Sequence, residues 1–335
     1  MIEPRLSPSQ ISRRRLLRGA AAALALPLLT RAARAGNWPD RPVTLVVPFA
    51  PGGTTDILAH IVAEVLTEHY RQPFIIANKA GASGNIAAAF VASAPPDGYT
   101  LLIGTPGIHA TNRLVYRSMG YDPAADFAPV ILIARVPNLL SVAKSLPVTS
   151  VAELIDYARQ RPRQLVYGVS ALGSTGHLST ELFKSMTGVE ITPLPFKGSA
   201  PMLRDLADGR VHLTIDNLPA AKPFLEAGTI RPLALTTAKR WAPMRQLPTI
   251  AESGLPGYDT ASWFTIGAPR ATPPEIVTNL NTTVAAFLRS KSGTDKLRRI
   301  GAEPSGGSPD AMQRHVLVEI ERWDKVAKTA GVMPL

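Results

Sequence analysis

Phe49-Ala50-Pro51-Gly52-Gly53-Thr54-Thr55-Asp56 joins an apolar run, Val43 to Phe49, to a stretch of helical period. Proline and two glycines make a tight turn in which backbone can approach a ligand closely. Thr54, Thr55 and Asp56 then offer capping oxygens where a helix begins. The first turn of a helix has free N–H groups and a partial positive charge, so the stretch reads either as an ordinary strand–helix turn or as an anion seat.

The rest of the chain repeats this design. Phe74–Asn78 is an expected strand that enters Gly81-Ala82-Ser83-Gly84-Asn85 and a helix over 86–94. Thr100–Thr105 runs into Pro106-Gly107. Leu165–Ser170 enters Ala171-Leu172-Gly173-Ser174-Thr175-Gly176-His177 and a helix ending at Gly188. Strand and helix patterns alternate, which predicts an α/β fold with largely parallel sheets. Val130–Val136 and Leu139–Lys144 read as two strands around a break at Pro137. Two closing helices start at Thr272-Pro273-Pro274-Glu275 and at Ser308-Pro309. In open α/β sheets ligands bind outside the carboxyl ends of strands, so these loops share one rim, and Asp216 at the end of strand His212–Asp216 faces the same side.

The chain has 335 residues, no cysteine and a formal charge of +11. Disulfides, thiol catalysis and cysteine-bound metal are excluded. Residues 1–35 hold seven arginines against one acid, Glu3, and without them the charge falls to +5. That remainder is spread thinly, with no basic tract to suggest nucleic acid. Ser12-Arg13-Arg14-Arg15, the apolar run 20–29 and Ala33-Arg34-Ala35 have the layout of a twin-arginine export signal cut after Ala35, which places the mature protein in the periplasm.

Catalytic and metal readings find little support. Ser174 and His177 invite comparison with a hydrolase, but there is no G-x-S-x-G elbow, and a local capping role is expected. Asp56 and Asp216 could form an acid–base pair, although an aspartate at a helix start is usually a cap. The six histidines lack metal-ligand spacing, and the face of His60, Glu64 and Glu68 reads as solvated. Neither a dinucleotide fingerprint nor a phosphate loop occurs, so no cofactor is expected. The residues that assemble suit binding of a small organic anion by backbone N–H groups and hydroxyls. They are Phe49, Ala50, Gly52, Gly53, Thr54, Asp56, Ser83, Asn85, Thr105, Ser170, Gly173, Ser174, Thr175 and Asp216.

With these stretches in hand, the chain resembles the substrate-binding proteins of tripartite tricarboxylate transporters, the Bordetella uptake gene family. The resemblance is carried by Trp38-Pro39-Asp40-Arg41-Pro42, Pro48 to Asp56, Asn78 to Ile86 and Pro95-Pro96-Asp97-Gly98-Tyr99. Tyr121-Asp122-Pro123, Gly173 to Leu178, Phe196-Lys197-Gly198, Leu247-Pro248-Thr249, Glu252-Ser253-Gly254 and Trp263 follow in the family's order. It implies a two-lobed periplasmic binding fold of type II, with lobe one formed by 36–134 and 236–335 and lobe two by 135–235. It also implies a monomer that holds a carboxylate through Ala50–Asp56 and Ser170–Thr175 and delivers it to integral membrane permease subunits; a sensor kinase is the alternative partner. Two positions depart from the family: His60 replaces a usual arginine, and Ser83 replaces a common glycine, where it either donates to ligand or fills space. Selectivity is expected from Phe49, Asp216 and the loop near His109.

Overall fold

A computed structural model describes residues 38–331; the export signal expected at 1–35 lies outside the described residues. The chain divides after Asp40 into an N-terminal unit and the unit from Arg41 onward, which carries everything below.

The elements in order are β1 (Val43–Val47), α1 (Thr54–Tyr70), β2 (Phe74–Asn78), α2 (Asn85–Ala92), β3 (Thr100–Gly104), β4 (Phe127–Ala143), α3 (Val151–Arg159) and β5 (Val166–Val169). They continue with α4 (Thr175–Thr187), β6 (Thr192–Pro195), α5 (Ser199–Ala207), β7 (Leu213–Asn217), α6 (Leu218–Glu226) and β8 (Ile230–Leu235). The last are β9 (Ala261–Pro269), α7 (Pro274–Arg289), α8 (Lys291–Ile300), β10 (Glu303–Gly306) and α9 (Pro309–Ala330). The β-branched run of β1 is buried and pairs in parallel with β2 and β3. In α1, Leu58, Ile61, Val62 and Leu66 recur at helical spacing and are buried, while His60, Glu64 and Glu68 stand exposed.

The strands follow the order β2-β1-β3-β9-β4-β7-β5-β6, with β8 and β10 also paired to β4. The sheets are mixed rather than largely parallel. β1, β2 and β3 are parallel, as are β5, β6 and β7, but β9, β10, β7 and β8 all meet β4 antiparallel. The return strands that carry the chain between the two halves impose this direction. β4 is one continuous strand of 17 residues, not two broken at Pro137. Pro137 pairs with Ala261 at the start of β9, and from Asn138 onward the partners are β7 and β8. The missing N–H therefore falls where β4 changes partners, and the strand survives it.

Three helices, not two, close the chain. Ser290 ends α7 and caps α8, its hydroxyl accepting from Gly293 N–H at 2.9 Å. Thr272 does not cap α7, whose N-cap is Pro273, whereas Ser308 caps α9 as its pattern predicts. Ser150 caps α3, its hydroxyl accepting from Glu153 N–H at 3.2 Å, and the Glu153 carboxylate accepts in turn from Thr149 N–H at 2.6 Å. α9 lies across the join of the halves and buries Trp323. Its Glu319 carboxylate accepts from the indole N–H of both Trp263 and Trp323, at 3.0 and 3.1 Å.

Candidate functional site

Where the strands point their carboxyl ends, four helices begin around one cleft. Their N-cap residues are Gly53 for α1, Ser174 for α4, Gly198 for α5 and Asn217 for α6, and all four line it. A helix start leaves backbone N–H groups without intrahelical partners and carries about half a positive charge. Four such ends on one cavity suit an anion without a cationic side chain. The lining holds no charged residue: it is built from hydroxyls, amides, glycines and the apolar walls Phe49, Pro106, Ala171 and Phe264.

Several lining polar atoms are buried without a partner in the protein: Thr54 Oγ1, Thr105 Oγ1, Asn112 Oδ1 and Asn217 Oδ1. Asn112 is fully buried and gives its N–H groups to Ser83 O at 3.1 Å and Asn85 Oδ1 at 2.6 Å. A main-chain carbonyl only accepts, so the amide nitrogen must face Ser83 and the oxygen must face the other way.

The halves touch on both sides of the cleft. On one side a Cβ on Gly52 would meet Ala200 Cβ at 3.5 Å, and one on Gly198 would meet Ala50 N at 3.6 Å. On the other, the Thr111 hydroxyl donates to Gly173 O, and Thr175 Oγ1 is hydrogen-bonded to Ser262 Oγ. Gly173 has φ +77, and a Cβ there would come within 2.8 Å of Val115, so glycine is required by conformation and by space.

Of the candidate residues, Phe49, Gly53, Thr54, Ser83, Thr105, Ser170, Ser174 and Thr175 stand on the lining. Ala50, Gly52, Asp56, Asn85, Gly173 and Asp216 do not. Asp56 turns away to clamp the loop, its Oδ2 accepting from Gly52 N–H and its Oδ1 from Asn78 Nδ2, both at 2.9 Å. Asn85 is tied to Asn112 and Tyr121 behind the surface. Ser83 bonds Tyr116 through their hydroxyls at 2.8 Å and has φ +55, within four successive positive-φ residues from Gly81 to Gly84. His109 is buried, bonded to Thr265 Oγ1, and burial lowers its pKa to about 4, so it is a neutral core group and not a cleft residue.

Asp216 lies one layer beneath the lining. It is 2% exposed; Ser170 Oγ donates to its Oδ1 at 3.3 Å, and Oδ2 has no partner in bonding geometry. Burial raises its pKa to about 6 against the smaller opposing effects of Ser199, the Asn217 N–H and Ser170. Ser174 and His177 form no nucleophile–base pair. Ser174 Oγ accepts from His177 N–H as a helix cap, while His177 Nδ1 accepts from Gly173 N–H.

Thr55, Pro106, Gly107 and Ala171 also line the cleft, within loops the sequence points to though not named singly, and Asn217 lies at a strand end on the expected ligand side; Asn112, Gly198, Ser199, Ser262 and Phe264 are not anticipated. For Asn217 and Gly198 a signal existed. Asn217-Leu218-Pro219 is a cap with proline in the first turn, and Gly198-Ser199-Ala200 repeats the small-residue turn before a helix.

Comparison with known proteins finds relatives over most of the chain. Protein BugT of Bordetella pertussis is 35% identical over 298 residues, covering 89% of this chain and 91% of its own. The structure of R. palustris Rpa4515 with adipate is 78% identical, with a TM-score of 0.88 over 89% of this chain and all of that one. MatC (Rpa3494) from Rhodopseudomonas palustris with bound malate is 34% identical, with a TM-score of 0.82 over 86% and 99% of the two chains. Such neighbours are periplasmic binding proteins, which agrees with a two-lobed α/β fold around a ligand cleft. The pattern of the tripartite tricarboxylate transporter family receptor matches residues 58–332, and the chain belongs to that family of solute receptors, which are not enzymes.

Proposed function

We propose that this chain is an exported periplasmic receptor that captures a linear α,ω-dicarboxylate of about adipate's length and delivers it to integral membrane permease subunits. The observation that carries the reading is the neutral cleft, with four helix N-termini and no charged side chain. A dianion finds N–H groups from both halves there, and the walls Phe49 and Phe264 suit a methylene chain. The 78% identity to a protein solved with adipate supports the chain length, and malate in a second relative supports the diacid class.

The lobes in this proposal are 36–134 with 236–335 and 135–235, and they close on ligand about the strands that join them. Contacts to ligand come from Phe49, Gly53, Thr54, Ser83, Thr105, Ser170, Ser174 and Thr175, with Asn112, Ser199 and Asn217 added to them. Ala50, Gly52, Asp56, Asn85 and Gly173 hold the loops in shape. Arginines 13 and 14 direct export, cleavage follows Ala35, and among the described residues no helix is long and apolar enough to cross a membrane.

Calorimetric titration with diacids of four to eight carbons, and with hexanoate as the one-carboxylate control, tests the reading. One adipate per chain should bind, and hexanoate at least tenfold more weakly. Equal affinity for hexanoate, or no diacid binding at all, would overturn it.

A further inference from the structure

Asp216 is a buried carboxyl group packed directly behind the cleft lining, and unlike Asp56 it clamps no loop of the site. Three lining residues surround it: Ser170 donates to its Oδ1, and the Ser199 hydroxyl and the Asn217 N–H both act on the carboxylate to favour its ionised form. Among the described residues no cation answers its charge. β4 presents Leu139 opposite it, and α4 presses the backbone of Gly176 against Ile215 O and Asp216 Cα.

The charged and titratable groups of the surrounding elements are engaged elsewhere. His177 of α4 accepts from Gly173 N–H, and Glu181 pairs with Lys184. Asp205 at the far end of α5 pairs with Arg210, and Lys222 of α6 pairs with Glu226. Lys197, before α5, is exposed. Across the cleft Asp56 is fixed by Gly52 N–H and Asn78. An anion arriving on the four helix ends therefore meets a buried carboxylate that nothing neutralises.

We propose that the cleft takes up its anionic ligand together with one proton, which Asp216 receives from solvent. This rests on the dicarboxylate reading above. Ionised Asp216 holds the Ser170 hydroxyl proton; once protonated, it no longer needs that bond, and Ser170 is free to turn its O–H toward a ligand carboxylate. Capture thus adds a proton at Asp216 Oδ2 and redirects one hydrogen bond. A new negative charge on the order of 6 Å away, at an effective dielectric of about 20, raises proton affinity about a hundredfold. Starting from a pKa of about 6, Asp216 is mostly ionised at pH 7 in the free protein and mostly protonated in the complex. Ligand is held more tightly as pH falls and released as it rises.

The test is titration of the protein with adipate at pH 7 in buffers of different ionisation enthalpy, with Kd also measured from pH 6 to 8. Wild type should take up about 0.8 proton per adipate, and its Kd should weaken about twentyfold over that range. Asp216→Asn, which keeps the shape and cannot ionise, should bind adipate with no uptake and a flat Kd. If wild type binds adipate with no proton uptake, the coupling is wrong while the dicarboxylate reading stands. If uptake persists in Asp216→Asn, the proton goes to the ligand or to His177, and the proposal is again overturned. If adipate does not bind, the dicarboxylate reading falls and takes the coupling with it. Wild-type uptake is measured without any variant, so a misfolded Asp216→Asn cannot hide the answer. Ser170→Ala should then reduce affinity but leave the uptake.

Discussion

Gly53→Val places a branched side chain in the cleft without straining the loop that carries it. Gly53 has φ −84 and ψ 169, extended backbone that a β-branched residue prefers. An added Cβ would meet Ala50 O and Ser199 Cβ at 3.9 Å, ordinary contact. Valine at an N-cap costs about 1 kcal/mol, and replacing glycine returns a similar amount by restricting the unfolded chain. The variant should therefore melt within a few degrees of wild type. Its two methyl groups, however, extend from a residue on the lining, over the free N–H groups at the start of α1 and toward Ser199 of the other half. A ligand carboxylate that loses two charge-assisted hydrogen bonds there loses about 3 kcal/mol or more, a Kd more than a hundredfold weaker. Calorimetry with adipate reads the affinity, and a thermal melt reads the fold. A folded variant binding within threefold of wild type would refute the placement of the anion seat. Gly52→Val is the contrast, because Gly52 has φ +85 and the loop itself should fail.

Three further outcomes follow from other residues. Burial raises the Asp216 pKa from 3.8 to about 6, so the folded state binds this proton more tightly than the unfolded chain does. The stability it contributes is full below pH 3.8 and lost as pH rises to about 6; urea unfolding of free Asp216→Asn should thus match wild type near pH 4 and exceed it by about 3 kcal/mol at pH 7. Thr105→Val removes a buried hydroxyl that has no partner in the protein, and should raise the unfolding free energy by about 1 kcal/mol while weakening adipate binding about tenfold. Export carries the last: Arg13→Lys with Arg14→Lys should leave precursor in the cytoplasm on fractionation, and unaffected export would point to the general secretory route.

The sequence spoke plainly wherever one local run held the whole signal. Val43 to Asp56 and Leu165 to His177 each contain strand, turn and helix start within about a dozen residues, and both turns reach the cleft. It was ambiguous wherever adjacent residues point opposite ways. Asp216 and Asn217 both end β7 on the ligand side, but side chains alternate along a strand, so one enters the core and the next, at the N-cap position of α6, reaches the cleft. In the turn after β5, the left-handed conformation of Gly173 presses it against Val115 and Asn112, while Ser174, the next residue, reaches the lining. It was silent wherever a partner arrives from a distance. Ser262 and Phe264 come from β9, which pairing inserts between β3 and β4, and only that topology brings them to the cleft. Asn112 is placed by bonds to Ser83 and Asn85 that no spacing records. The backbone seats were thus written locally, while the groups that tune them depend on parity and topology. Exchanging the side chains at 112, 217 and 264 should therefore change which acid binds while leaving the N–H groups in place.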